Sequence, residues 1–367
     1  RRSMRKVRVA VNGYGVIGKR VADAVHRQED MELAGICDIA ADYRIRVPWG
    51  LGIPVFAPSK EAAEQMRKAG VSPQGSLDDL LNSAQVVVDC TPKKVAATNI
   101  PKYNEHKIKF ILQGGETHET TGHSFVAQAN YASALGRGST RVVSCNTTAT
   151  VRVLGALQNA GLLKRARGTL LRRATDPWES HLGGIINTIV PEEDIPSHQG
   201  PDAKTVLPEL DVVTMACKVP ETLGHVHYWW IELIRESAAE EVLEIFRKTP
   251  RVVLLHASEG LGTPNAIKEM LGDFRRPRTD LWEVVLWQDI LNVSRSELFL
   301  CSFVDNQAIV IPETIDAIRA LTELEPTAEA SMAKTDRSLT DLSAGPMSIF
   351  KREMKHGECC PPEERQG

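Results

Sequence analysis

The sequence predicts an α/β fold: a doubly wound parallel sheet, then an α+β domain with a mostly antiparallel sheet. Three observations predict it. Short apolar runs alternate with helical patterns from Lys6 to about Val143. A glycine-rich turn separates the first run from the first helix. From Ala166 the apolar runs lengthen and irregular segments divide them, as in antiparallel strands with few helices.

Val7-Arg8-Val9-Ala10-Val11 reads as a short buried strand, and Val21, Ala24 and Val25 mark the helix after it. Between them stands Asn12-Gly13-Tyr14-Gly15-Val16-Ile17-Gly18, a G-x-G-x-x-G turn. Its glycines allow a tight turn, close approach of a pyrophosphate, and packing of helix on strand. The pyrophosphate rests on the helix N-terminus. Gly13, Tyr14, Gly15, Val16, Ile17 and Gly18 are therefore cofactor-binding candidates in a Rossmann-like first domain. The second strand, Glu32 to Cys37, ends at Asp38, twenty residues past Gly18. A carboxylate there accepts from both ribose hydroxyls of NAD and repels a 2′-phosphate, so NAD is favoured over NADP. Arg44 and Arg46 follow closely and are cations that a 2′-phosphate would seek.

Further elements continue the alternation. Gly52 to Ala57 reads as a strand, Ser59 to Ala69 and Leu77 to Leu81 as helices. Val86 to Cys90 is a strand running into Thr91-Pro92-Lys93-Lys94. Ile108 to Leu112 is another, ending at Gln113-Gly114-Gly115-Glu116. In a doubly wound sheet such turns face the ligand, which adds Gln113 and Gly114 to the cofactor candidates. After Val142-Val143 comes Ser144-Cys145-Asn146-Thr147-Thr148, then a helix from Thr150 to Leu157. A cysteine between a strand end and a helix start sits near the positive end of the helix dipole, where a thiolate is stabilised. Ser144 suits the N-cap.

In the second domain Gly168 to Arg173, Val212 to Lys218, His227 to Leu233 and Val252 to His256 read as strands. Leu281 to Trp287 and Glu297 to Phe303 read likewise, with helices at Ala238 to Arg247 and Glu313 to Leu324. The expected division is 1–143 for the dinucleotide, 144–303 for catalysis and 304–337 packing back on the first domain. Residues 338–367 read as a polar, disordered tail.

Composition excludes several classes. The 367 residues carry a net charge of −3, so no bulk field draws nucleic acid or an anionic membrane. No apolar run is long enough to span a bilayer. Seven cysteines in no metal or disulfide spacing suit a reducing cytoplasm, and no metal site is expected.

A dinucleotide turn followed by an activated cysteine points to aldehyde oxidation through a thiohemiacetal and a thioester. Candidate bases are His198, His225 and His227. In His225-Val226-His227 period two puts both rings on one side of a strand, and either can meet Cys145. Arg172-Arg173, leaving an apolar strand before Ala174-Thr175-Asp176-Pro177, offer a fork for phosphate. Ser197-His198-Gln199-Gly200-Pro201-Asp202 is a polar turn able to bind an anion.

Together with Pro196-Ser197-His198, Gly200-Pro201-Asp202 and Ile309-Val310-Ile311-Pro312-Glu313, these motifs resemble the archaeal-type (type II) glyceraldehyde-3-phosphate dehydrogenase family from about Arg5 to Lys334. The resemblance implies Cys145 as nucleophile and His225 as base. It places Thr148, Arg172, Arg173, His198 and Gln199 at substrate phosphate or inorganic phosphate, and Asn292 at the nicotinamide carboxamide. It implies phosphorylating oxidation of glyceraldehyde 3-phosphate to 1,3-bisphosphoglycerate by a homotetramer.

Several positions depart from the family. Gln199 stands where the family usually has a second histidine, and Asp38 where it commonly has lysine. The Ile45 to Leu51 segment and Gln288-Asp289 also differ. A different phosphorylated or acidic aldehyde, or a non-catalytic NAD-sensing role, are the alternative readings.

Overall fold

The computed structural model describes residues 6–113 and 115–340. Its first half follows β1 (Val7–Asn12), α1 (Val16–His26), β2 (Met31–Cys37), α2 (Tyr43–Gly50), β3 (Val55–Phe56), α3 (Lys60–Lys68) and α4 (Leu77–Asn82). Then come β4 (Val86–Asp89), α5 (Val95–Glu105), β5 (Lys109–Leu112), β6 (Ser124–Phe125), α6 (Ala127–Ala134) and β7 (Ser139–Val142). The seven strands form one sheet in the order β3-β2-β1-β4-β5-β7-β6, every pairing parallel. Val9, Val11, Val86, Val87 and Val88 are fully buried, as strands covered on both faces require.

Helix α7 (Cys145–Asn159) leads into the second half: β8 (Leu163–Arg173), β9 (Val190–Pro191), α8 (Gln199–Ala203), β10 (Val212–Val219) and β11 (His225–Leu233). Next are α9 (Ala239–Lys248), β12 (Val252–Leu255), α10 (Pro264–Asp273), β13 (Val284–Trp287), β14 (Asn292–Ser294) and β15 (Glu297–Val304). Their sheet runs β12-β13-β15-β11-β8-β10-β9, with β14 on β15. It is mixed: β10 lies parallel to β8 and β12 to β13, and the other five pairings are antiparallel. Central β11 turns His225, His227 and Trp229 inward and Tyr228 outward, the alternation expected of a half-covered strand.

The chain ends in α11 (Val310–Thr322), which packs on α1, α6 and the first sheet, and α12 (Ala328–Thr340). Every residue of α11 from Val310 to Leu321 is buried, including Glu313, Asp316 and Arg319. These charges are paired. Arg152 of α7 meets Glu313 at 2.7 Å, Arg251 meets Asp316 at 2.7 Å, and Arg319 meets Asp30 at 2.9 Å.

Some boundaries differ from expectation. The strand foreseen at Gly52 to Ala57 shrinks to Val55–Phe56, and α2 was not foreseen. Helix α7 begins at Cys145 instead of Thr150, because Ser144 caps it by accepting the Thr147 N–H at 3.3 Å. Ser338, Leu339 and Thr340, read as the start of a disordered tail, close α12. Hydrogen bonds from Ser331 and Thr335 to Asp316, both within 2.7 Å, hold that helix down. The remainder of the expected tail, 341–367, lies outside the described residues.

Candidate active site

Cys145 is the first residue of α7, the helix that links β7 of the first sheet to β8 of the second. Its turn is braced from below. Thr147 Oγ1 donates to Asp202 Oδ2 at 2.8 Å, and Arg141 Nη2 donates to Asp202 Oδ1 at 2.7 Å. Above it, Sγ lies 3.3 Å from His225 Nε2. His225 Nδ1 accepts the backbone N–H of Arg173 at 3.0 Å. A neutral imidazole whose Nδ1 accepts carries its proton on Nε2, so the ring presents an N–H to the sulfur. Burial, then His227, Arg173 and Arg172, hold the His225 pKa well below its ordinary value. The thiol is pushed up by burial, against the pull of Arg173, the Asn146 backbone N–H and Arg172; Asp305 pushes it up as well.

The second histidine of the pair has another partner. His227 is fully buried and its Nε2 lies 2.7 Å from Asn146 Oδ1. Period two put both rings on one face, and the structure divides them: His225 takes Cys145, His227 takes Asn146.

The arginines leave β8 beside the cysteine. Arg172 is ion-paired with Glu192, and Arg173 Nε lies 3.4 Å from Asp176. His198 is exposed, and burial of part of its ring, then Arg172, lower its pKa; Asp202 opposes and Lys93 adds to the lowering. Lys93, Arg172 and His198 thus share one basic region. The sequence places Lys93 only in a turn facing the cofactor; its influence on His198 is long-range and spacing does not carry it.

Three further residues expected at the site are placed as follows. Thr148 is fully buried and its hydroxyl donates to the Val143 carbonyl at 3.4 Å. Gln199 is also fully buried, with neither amide atom hydrogen-bonded. Asn292 sits in the β14–β15 hairpin opposite Phe299, while His225 is opposite Val304. Five residues of strand separate those levels, about 16 Å. The amide side chains brought to the site are instead Asn306 and Gln307, which donate to Asp176 Oδ1 at 2.8 and 3.2 Å.

The turn after β1 fits a dinucleotide. Gly13 has φ +91°, and a Cβ there would stand 2.7 Å from the Cys90 carbonyl carbon. A Cβ on Gly18 would stand 1.8 Å from the Gly13 oxygen. Only glycine allows this packing. Gly15 has open space before it and caps α1 with no side-chain bond, which leaves helix N–H groups free for a pyrophosphate. Val16 and Ile17 open that helix. Asp38 Oδ2 accepts the Tyr14 N–H at 2.6 Å and Oδ1 the Ala40 N–H at 2.7 Å. Gln113 donates to Thr314 at 3.1 Å and its Oε1 is buried without a partner. Gly114 lies outside the described residues. Among the described residues no cluster of three metal-ligating side chains occurs, and no helix is long and apolar enough to cross a membrane.

A glycine-rich turn on a parallel sheet, joined to a mixed sheet at a Cys–His contact, defines a two-domain nicotinamide-dependent dehydrogenase. Comparison with known proteins narrows the class. Residues 144–276 match the family "Glyceraldehyde 3-phosphate dehydrogenase, C-terminal domain", and residues 7–136 match "Dihydrodipicolinate reductase, N-terminus". The chain is 43% identical over 337 residues to glyceraldehyde-3-phosphate dehydrogenase 2 of Methanosarcina acetivorans, covering 92% of this chain and 99% of that one. It is 44% identical to glyceraldehyde-3-phosphate dehydrogenase of Archaeoglobus fulgidus, covering 92% and 98%. It is 43% identical to that of Methanopyrus kandleri, covering 94% and 100%. Aspartate semialdehyde dehydrogenase II of Vibrio cholerae shares the fold, with a TM-score of 0.62 at 14% identity over 87% of this chain and 99% of that one. The chain belongs to the archaeal-type glyceraldehyde-3-phosphate dehydrogenase family.

Proposed function

We propose that the protein oxidises glyceraldehyde 3-phosphate to 1,3-bisphosphoglycerate, with inorganic phosphate as acyl acceptor and Cys145 as nucleophile. The observation that carries this reading is the Cys145–His225 contact within the field of Arg172 and Arg173, in a chain of this family. The Cys145 thiolate adds to the aldehyde carbon, and the Nε2–H of His225 is aimed at the sulfur. A bound nicotinamide supplies the hydride acceptor. Phosphate oxygen then attacks the thioester carbon and Cys145 leaves as thiolate. Lys93, Arg172, Arg173 and His198 hold the anions, with Glu192 yielding Arg172 to phosphate. Residues 1–143 carry the cofactor, 144–303 the chemistry, and 304–337 join the two. The test is absorbance at 340 nm with aldehyde and NAD, with and without phosphate. Phosphate-dependent turnover supports the reading; equal turnover without phosphate replaces it with a hydrolytic one.

NAD is the preferred cofactor in this reading. Asp38 keeps a negative charge at the ribose end, and Arg44 is committed to Asp42 at 2.7 Å and lies over Trp178. Asp38→Asn removes the charge and retains an acceptor for the turn. The NAD over NADP ratio of kcat/KM falls by about tenfold or more, the weight of one charge-assisted contact. An unchanged ratio would move the discrimination elsewhere.

The partner is a second copy of the chain. The outward face of the mixed sheet exposes Met215, Tyr228, Phe299 and Ile290 around a hollow of about 460 Å³. Apolar patches of this kind mark association surfaces. The expected species in light scattering is a homotetramer, and Tyr228→Asp is expected to lower its mass; a variant of unchanged mass would clear this face of the role. The free thiols of Cys37, Cys90, Cys145, Cys217 and Cys301 suit a reducing cytoplasm.

A further inference from the structure

We infer that Asn146 is a catalytic residue whose side-chain amide N–H holds the oxygen of the adduct on Cys145, and that His227 is the positioning residue that aims it. This inference rests on the reading of Cys145 as nucleophile.

Asn146 follows Cys145 in the first turn of α7 and is 3% exposed. One end of its amide is tied, since Oδ1 lies 2.7 Å from His227 Nε2. His227 is sealed between Leu170 on β8 and Ser302 on β15, with the Trp229 ring edge-on at 6.3 Å. Burial drops its pKa to about 3, so the ring is neutral. Its Nδ1 has no partner. Placing the proton on Nε2 leaves a bare lone pair at Nδ1; the other tautomer would leave a buried N–H orphaned, the rarer and costlier arrangement. Nε2–H therefore donates to Oδ1 and fixes which way the amide faces.

The other end is free. Nδ2 of Asn146 donates to no protein group among the described residues, yet it is not one of the sealed unpaired atoms, so it meets open space at the site. A largely buried amide with its carbonyl tied and its NH2 unpaired is aimed and ready for an added acceptor. The neighbouring group on β11 is likewise a donor, because the Arg173 N–H at Nδ1 keeps the His225 proton on Nε2. His225 offers its N–H to the sulfur at 3.3 Å, and Asn146, the next residue after Cys145, has an unpaired amide N–H to offer, a pair of donors suited to an oxygen that gains negative charge.

The step balances without a base. A thiolate lone pair forms the S–C bond, and the carbonyl π pair moves to oxygen, where the two N–H groups hold it. Reforming C=O expels hydride to the oxidised nicotinamide when the carbon came from an aldehyde. It expels the leaving group when the carbon came from an ester.

Two reagents separate oxyanion stabilisation from thiol reactivity. Acylation of Cys145 by p-nitrophenyl acetate passes through a tetrahedral oxyanion; alkylation by iodoacetamide does not. In Asn146→Ala the acylation rate falls by about 10²-fold or more, and alkylation stays within about twofold. Asn146→Asp, which replaces the donor by an anion at nearly constant shape, loses at least as much. His227→Leu lowers acylation by a smaller factor and again leaves alkylation alone, a split that a merely structural role would not produce. Equal losses in both reactions, no loss in either, or a wild-type Cys145 that is not acylated would each overturn the inference. Neither reagent needs cofactor or sugar phosphate, so failure of the 340 nm assay with a retained acylation split removes only the substrate reading.

Discussion

Cys145→Ser lowers oxidation of glyceraldehyde 3-phosphate by at least about 10⁴-fold, the scale on which loss of a covalent nucleophile acts. Cofactor binding is expected to be retained, because the turn proposed to meet the pyrophosphate is that between β1 and α1 and does not include Cys145. A serine hydroxyl at the α7 N-terminus keeps the volume and the hydrogen bond to His225 but not an accessible anion. The wild-type pH profile carries the same signature. Burial pushes the Cys145 thiol up, so the thiolate fraction and the rate rise with pH on the alkaline side of neutrality. His225 stays neutral across that range and adds no limb there. Near-normal turnover by Cys145→Ser, measured with NAD and phosphate present, would end the covalent account.

Glu313→Ala destabilises the fold by about 3–5 kcal/mol, the cost of breaking a buried ion pair by removing one partner. Glu313 is fully buried and serves three elements. Its Oε1 pairs with Arg152 at 2.7 Å and Arg251 at 3.4 Å, and its Oε2 accepts the Ala127 N–H at 2.6 Å. Alanine leaves both guanidinium groups buried with less charge to meet them, and Tm falls by on the order of 10 °C. The sign with pH follows from ionisation. Arg152, then Arg251, overcome burial and hold the carboxyl below its ordinary value. Its contribution is therefore present above the ordinary carboxylate pKa and lost as pH falls through the depressed one. The gap between variant and wild type narrows in acid. A Tm unchanged at neutral pH would show that the arginines find other partners.

Short-range pattern carried much of this structure. The alternation of apolar runs and the Gly13, Gly15 and Gly18 spacing were enough for the parallel sheet and its first turn. Period two placed His225 and His227 on one face, where β11 has them. What the pattern lacked was the third dimension. Apolar spacing starts the helix at Thr150, whereas the Ser144 cap starts α7 at Cys145 and winds Thr148 into its first turn. Asn292 looked suitable by motif, but strand pairing carries it to the far level of the sheet. Lys93, Asn306 and Asn146 matter through contacts with residues distant in sequence. Apolar periodicity does not mark helix α12 because Ser331 and Thr335 face its core side; they are polar, but buried Asp316 accepts from both. Periodicity in apolar residues does not register a polar contact of that kind.

The central claim is that oxidation proceeds through an acyl group on Cys145. Its most direct test is a single turnover with NAD and glyceraldehyde 3-phosphate in the absence of phosphate, quenched in acid and read by peptide mass spectrometry. The account predicts one burst of reduced cofactor per site and a phosphoglyceryl group on the peptide bearing Cys145, discharged when phosphate is added. A burst with Cys145 unmodified, or an acyl group on another residue, would contradict it.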